Sequence, residues 1–152
     1  MSLLYRNGVG IFLLNDRKKL WVGRRLDSNI FWQMPQGGID NDESEEEAMK
    51  RELEEEIGTK NVKIIKKSKK LLNYDIPSDM IKKVWNGKFK GQAQRWFACK
   101  FRGSDSEINV ATKVAEFVEW RWIDPELVVD AVIPFKKKMY RSILKEFSDL
   151  YC

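Results

Sequence analysis

The chain has 152 residues and a mass of 17.9 kDa, with 43% hydrophobic and 12% aromatic residues, a size and content that suit one buried core in one domain, residues 1–152. It contains no histidine, which excludes Ser-His-Asp and Cys-His nucleophilic catalysis, imidazole bases and every zinc site that needs a histidine. The net charge is +5, yet ten acidic residues crowd between Asp40 and Glu56 against only Lys50 and Arg51, leaving the rest of the chain at +13. An acidic island in a basic protein suits carboxylates that hold divalent cations within a surface that attracts a polyanion; composition alone fits the solvated face of an ordinary helix as well.

In chain order, Tyr5 to Leu14 and Leu20 to Arg25 read as strands of a hairpin turning at Asn15-Asp16-Arg17-Lys18. The opening MSLLYRNGVGIFLL lacks the basic region and small-residue cleavage site of a secretory signal, and no stretch approaches the roughly 18 to 20 apolar residues of a membrane span. Cys99 lies in an apolar strand and Cys152 is the last residue, so neither a disulfide framework nor a disulfide-linked partner is expected and a reducing, cytoplasmic setting is the default. FWQMPQGGID reads as a loop leading into an acidic helix from Ser44 to Ile57, with capping-box spacing at Ser44 and Glu47 and a stop at Gly58.

Beyond the helix, Val62 to Asn73 reads as one basic strand, and residues 74 to 94, with Pro77, Gly87 and Gly91, as a long functional loop or lid. Arg95 to Arg102 and Phe117 to Ile123 are further strands. Phe135, Met139, Ile143, Phe147 and Leu150 recur at helical spacing from Pro134 to Leu150. The order predicts a mixed β-sheet with helices packed on it. Trp32, Trp96, Trp120 and Trp122 lie in strand-like or anchoring contexts that favour a core role over base stacking.

On the acidic helix, Glu55 and Glu56 fall within about 60° of Glu52, beside the seam formed by Met49, Leu53 and Ile57, whereas Glu47 and Glu54 face away. Three carboxylates on one arc repel one another unless cations neutralise them. Oxygen donors without histidine or thiolate favour Mg²⁺, with Mn²⁺ as the alternative, over zinc.

The string GGIDNDESEEEAMKRELEEEIGT resembles the Nudix box, Gly-x5-Glu-x7-Arg-Glu-U-x-Glu-Glu-x-Gly-U with U apolar, and aligns Gly37, Glu43, Arg51, Glu52, Leu53, Glu55, Glu56 and Gly58 with it. Only the last apolar position departs, being Thr59. The resemblance extends along nearly the whole chain through Tyr5 to Gly10, Trp32 to Gly38, Gly91 to Phe97, Glu116 to Trp122, Phe135-Lys136 and Tyr140-Arg141. These segments are similar to the Nudix branch of bacterial RNA 5′-pyrophosphohydrolases and asymmetric diadenosine tetraphosphate hydrolases.

The resemblance implies an α-β-α sandwich of the α+β class, with the box helix and a C-terminal helix on a mixed sheet. It implies that Glu52, Glu55, Glu56, the Gly37 carbonyl and Glu116 bind two or more Mg²⁺ ions, with no organic cofactor. Glu55, Glu56 and Glu116 are all candidates for the general base. Arg6, Arg25 and Lys136 are implied phosphate contacts, Tyr74 a hydroxyl donor and Phe135 either a base-stacking or a core residue. Glu43, Arg51 and Gly58 are implied structural elements of the motif, with Arg51 clamping a helix carboxylate or a loop carbonyl.

The substrate implied is 5′-phosphorylated RNA or a dinucleoside polyphosphate, and a monomer is the default. Lys66, Lys67, Lys69, Lys70 and the Lys136 to Lys138 run favour RNA, which offers more phosphates. A non-catalytic RNA-binding module and a nucleotide-pool sanitising enzyme are the alternatives. Retention of all the box glutamates argues against the first, and the branch-specific segments outside the box argue against the second.

Overall fold

Alternation along two strands determines the layering. In β1 (Leu4–Leu14) the buried side chains of Val9, Ile11 and Leu13 face one way and Phe12 and Leu14 the other; in β7 (Phe89–Phe101), Phe97, Cys99 and Phe101 oppose Trp96 and Ala98. Strands buried on both faces need cover on both. The computed structural model describes residues 3–152, and in it β1 and β7 run parallel from Leu4↔Phe89 to Leu14↔Lys100 at the centre of a mixed sheet.

Around this pair lie β2 (Leu20–Arg25), β3 (Trp32–Gln33), β4 (Gln36–Gly38), β5 (Val62–Lys67), β6 (Leu72–Asp75) and β8 (Phe117–Ile123). β4 joins β1, β5 and β6 join β7, and β8 joins β2, each antiparallel. Helix α1 (Glu45–Ile57) buries Ala48, Met49, Leu53 and Ile57 on one face of the sheet. On the other face α2 (Val128–Ala131) and α3 (Lys137–Glu146) bury Val128, Met139, Tyr140 and Ile143. The expected sandwich of helix, mixed sheet and helix is thus present.

Helix α1 begins and ends where the sequence indicates. Ser44 accepts from the Glu47 N–H at 3.1 Å while the Glu47 carboxylate accepts from the Ser44 N–H at 3.0 Å, a reciprocal cap. Gly58 adopts φ 81°, a left-handed conformation that suits glycine. Thr59, the departure from the box, is buried, and its hydroxyl accepts from the Asn61 N–H at 3.1 Å; that bond satisfies the one polar atom distinguishing it from an apolar residue of the same shape.

Four expectations need correction. The opening hairpin is paired only at Leu14↔Leu20, because Gly8 to Gly10 give their free edge to β4. The FWQMPQGGID loop contains the short strands β3 and β4. The single strand expected from Val62 to Asn73 is two, divided where the Ser68 hydroxyl donates to the Lys70 carbonyl and accepts from the Trp96 N–H. Strand β7 begins at Phe89 rather than Arg95, so the irregular segment shrinks to residues 76–88. Gln92 and Gln94 disguise the first half of β7: both are buried, with Gln94 Nε2 donating to Gln92 Oε1 and Trp96 Nε1 to Gln94 Oε1.

The C-terminal apolar stripe packs as expected, with Met139, Ile143 and Phe147 buried, although α3 is flanked by 3₁₀ turns at Pro134–Lys136 and Ser148–Leu150. Trp96 is fully buried, and Trp32, Trp120 and Trp122 pack half-buried against the two cores. Among the described residues, no helix is long and apolar enough to cross a membrane.

Candidate active site

The acidic arc of α1 lies against β4. Gln36, which precedes Gly37, donates its backbone N–H to Glu56 Oε2 at 3.0 Å. A Cβ built on Gly37 would lie 2.0 Å from the Glu52 carboxyl carbon, so the Gly37 backbone sits directly on that carboxylate and any larger residue here would have to displace it.

Arg51 organises the other side of the arc. Its guanidinium donates to Glu43 at 2.7 and 2.9 Å, to Glu52 at 2.8 Å, to Glu55 at 3.1 Å and to the Gly38 carbonyl at 2.8 Å. It therefore clamps both helix carboxylates and a loop carbonyl. The same arginine holds the Glu43 carboxyl down at about 2, as expected of a carboxylate in a charge-assisted fork.

The carboxylates facing the sheet behave in the opposite way. Burial is the largest cause raising Glu56 well above the usual carboxylate range and Glu52 to about 7, with neighbouring carboxylates adding to both. Glu116, just before β8 and open to solvent, is raised by partial desolvation against the lowering influence of Arg25. In this arrangement burial and mutual repulsion disfavour the charged form of these carboxylates despite Arg51, Arg25 and Lys136 nearby, and a further cation would favour it.

A cleft of ≈ 270 Å³ opens over this surface and brings together Gly37, Glu56 and Glu116 with Arg6, Arg25, Tyr74, Phe135 and Lys136. Arg25 is fixed from two sides, donating to both Asp27 oxygens at 2.8 and 2.6 Å and to Gln33 Oε1 at 3.0 Å. The Lys136 ammonium is buried; it donates to the same Gln33 oxygen at 3.1 Å and lies 5.1 Å from the Tyr74 ring centre. Burial, and then Arg25, push Lys136 down to about 7. Arg6 lies beneath Trp85, 5.7 Å from its ring centre. The Tyr74 hydroxyl accepts from Gln36 Nε2 at 3.4 Å, and its ring lies 5.8 Å from that of Phe135.

Glu52 and Glu55 are not among the residues lining the cleft, since Arg51 draws both carboxylates to its own side. Among the described residues, no three acidic side chains converge as a ready-made cation cage. The donors nevertheless fit a hard divalent cation in kind and in charge: they are oxygen only, adjacent on one helix face, and in part held at raised pKa by burial.

Gln33, Gln36 and Trp85 also line the cleft, without a sequence motif that marks them. Gln33 is the shared acceptor of Arg25 and Lys136, and Gln36 Oε1 is buried with no hydrogen-bond partner among the described residues. Trp85 reaches the cleft from a segment in which Trp85, Asn86 and Gly87 all have positive φ. The signal for the two glutamines lay in the polar positions of an otherwise buried loop, Trp32 to Gly38.

A sequence model of the NUDIX domain matches residues 4–143. The chain is 47% identical to an RNA pyrophosphohydrolase of Rhodospirillum rubrum over 97% of its own length and 89% of that protein. It is 48% identical to one from a Wolbachia of Brugia malayi over 95% and 90%. Its fold matches the Escherichia coli dihydroneopterin triphosphate pyrophosphohydrolase with a TM-score of 0.70 at 16% identity, covering 94% of this chain and 99% of the other. A Caenorhabditis elegans Ap4A hydrolase matches with a TM-score of 0.64 at 14% identity, over 93% and 98%. With the box glutamates on one helix face, the glycine beneath them and a cleft of fixed cations beside them, the chain belongs to the Nudix family of hydrolases, divalent-metal-dependent enzymes that cleave pyrophosphate bonds.

Proposed function

We propose that this chain is an RNA 5′-pyrophosphohydrolase that removes pyrophosphate from 5′-triphosphorylated RNA. The observation that carries the reading is the convergence of Arg6, Arg25 and Lys136 with Glu56, Glu116 and Gly37 in one cleft. The near full-length identity to proteins named RNA pyrophosphohydrolase supports RNA as the substrate. We further read residues 1–152 as one Nudix domain that works as a monomer in the reducing cytoplasm, where its two cysteines, both free, remain thiols.

Glu52, Glu55, Glu56, Glu116 and the Gly37 carbonyl would hold two or more Mg²⁺ ions, with Mn²⁺ able to replace them. When bound, the ions neutralise the phosphate chain and acidify a water. The protein's part is to hold, orient and exclude. Arg25, immobilised by Asp27 and Gln33, meets the triphosphate without first having to be ordered. Lys136 places a buried amine donor beside the same phosphates, whose negative charge would favour its charged form. Arg6 closes the β1 side, and Tyr74 with Phe135 form a wall for the first nucleotide. Water attacks phosphorus, the bond to the departing pyrophosphate breaks, and one of Glu55, Glu56 or Glu116 takes the proton from the attacking water.

The test compares kcat/KM for a short 5′-triphosphorylated RNA and for diadenosine tetraphosphate in one Mg²⁺ buffer, with Glu56→Gln alongside. A preference of about tenfold or more for RNA, abolished in a folded Glu56→Gln protein, is expected. The reverse preference would make the chain a dinucleoside polyphosphate hydrolase. Equal, metal-independent behaviour of wild type and Glu56→Gln would leave a binding module.

A further inference from the structure

The cleft continues outward. Tyr74 and Phe135 line both the cleft and an adjoining depression of ≈ 420 Å³, and Leu72 and Ser142 line both that depression and a third one of ≈ 520 Å³. The three adjoin one another in a series running from the carboxylates, along β6 and α3, to the connection between β5 and β6.

The far end of this path is strongly basic. Its two outer depressions are bordered by Lys66, Lys67, Lys69, Lys70, Lys138 and Lys145 against only two carboxylates, Asp75 and Glu146. Both carboxylates are engaged, Asp75 accepting from the Tyr5 hydroxyl and Glu146 from the Lys69 N–H at 2.8 Å. Lys66 pairs with Asp149 at 2.9 Å; Lys67, Lys69, Lys70, Lys138 and Lys145 are exposed and have no ion-pair partner among the described residues. The backbone carrying them is fixed, since Ser68 bonds to Trp96 and Lys70 and Glu146 bonds to the turn.

We propose that this lysine-lined groove between the β5–β6 connection and α3 is a binding site for the single-stranded RNA backbone, taking the nucleotides downstream of the 5′ end held in the cleft. The inference rests on the RNA reading above and extends it to a second contact region. A row of cations continuous with the cleft fits a linear polyanion whose end is being processed; the aromatic wall of Tyr74 and Phe135 lies where the strand leaves the cleft. From Phe135 to Lys145 the path is about 15 Å along the helix direction, beyond the reach of a dinucleotide anchored by its triphosphate. Single-strand binding of this kind adds a salt dependence of about 0.7 in log–log slope per phosphate neutralised.

The experiment uses the full chain and a variant, K67Q/K69Q/K70Q/K145Q, with a control variant of equal charge loss elsewhere, R17Q/K60Q/R102Q/K113Q. Hydrolysis of a two-nucleotide and a twelve-nucleotide 5′-triphosphorylated RNA is followed across a salt series, and equilibrium binding of a twelve-nucleotide 5′-hydroxyl RNA is measured in EDTA. The groove variant is expected to cleave the short RNA as wild type does. On the long RNA it should lose at least fivefold in kcat/KM, through KM, with a salt slope reduced by about two to three; the control variant should keep most of the length preference. Equal losses in the two variants, or no loss in either, would overturn the proposal. If wild type cleaves no RNA end, the hydrolase reading fails on its own. The groove then stands if 5′-hydroxyl RNA binding depends on its lysines and falls if it does not.

Discussion

A Cβ on Gly37 would lie 2.0 Å from the carboxyl carbon of Glu52, so strand β4 and helix α1 meet at a point where a side chain would have to displace that carboxylate. Glu52 is held by Arg51 at 2.8 Å and is buried, so moving it aside would cost that ion pair. Gly37→Ala is expected to cost about 1–3 kcal/mol of stability by overpacking. The greater loss should be in metal binding: the thermal upshift on Mg²⁺ addition should shrink by more than half. A melting series with and without Mg²⁺ measures both; an unchanged upshift would remove Gly37 from the metal site.

Arg51 is the sole cation joining Glu43, Glu52, Glu55 and the Gly38 carbonyl in this cluster. Arg51→Lys keeps the charge but loses the planar fork. Because the side chain is only partly buried, the variant is expected to lose about 2–3 kcal/mol in urea denaturation. Arg51→Ala should cost at least as much, and Glu43→Gln should reproduce part of the loss. Wild-type stability in Arg51→Lys would show the fork to be dispensable.

Stability without divalent ions should pass through a minimum near pH 7. Glu52 is raised to about 7 from an ordinary value of 4.5, so its contribution is fully present below 4.5 and is lost as pH rises to 7. Glu56 and Glu116 are raised in the same sense. Lys136 is lowered from 10.5 to about 7, so its contribution is present above 10.5 and is lost as pH falls to 7. Below 4.5 the Glu43 clamp, with its carboxyl at about 2, begins to fail. Melting in EDTA from pH 4 to 9 should give a maximum near pH 5 and a minimum near 7, with Mg²⁺ restoring most stability at pH 7 to 8. A monotonic rise from pH 5 to 8 in EDTA would contradict this assignment of charges.

Lys136→Met removes a buried amine whose charged form is disfavoured in the fold. The variant should be as stable as wild type or more so, while kcat/KM on a triphosphate substrate falls by about 10- to 50-fold through loss of one charge-assisted phosphate contact. Arg25→Met should lose activity similarly but be destabilised, since it leaves Asp27 without its guanidinium partner and Gln33 with Lys136 as its one remaining donor among the described residues. Equal activity of Lys136→Met and wild type would place Lys136 outside the substrate site.

Much of this was legible in the sequence because α1 is a local object. Its cap, its stop, its buried seam and the common arc of Glu52, Glu55 and Glu56 all follow from helical geometry acting on adjacent residues. The resemblance implied that Arg51 clamps a helix carboxylate or a loop carbonyl, and its contact with Glu55 is an i,i+4 pair; helical geometry did not show that it does both at once, because the Gly38 carbonyl and Glu43 arrive from outside the helix. Lys136 looks like the start of a solvated basic run, and only the 3₁₀ turn at Pro134–Lys136 aims it inward at Gln33. The first half of β7 stayed hidden because Gln92 and Gln94 satisfy each other inside the core, and a search for apolar alternation discards two buried glutamines.

The parallel pairing of β1 with β7 has a consequence for how the chain acquires its structure. The two strands are separated by some eighty residues, and neither core can be completed without β7: Phe97 and Cys99 belong to the α1 side, Trp96 and Ala98 to the α3 side. A chain growing from its N-terminus therefore has α1 and the β1 and β4 surfaces it rests on before β7 arrives to close either core, and the cleft beside the carboxylates is complete only once Glu116 and Lys136 have been added. Such long-range closure slows folding relative to locally paired folds, and places assembly of the active site late in synthesis rather than early.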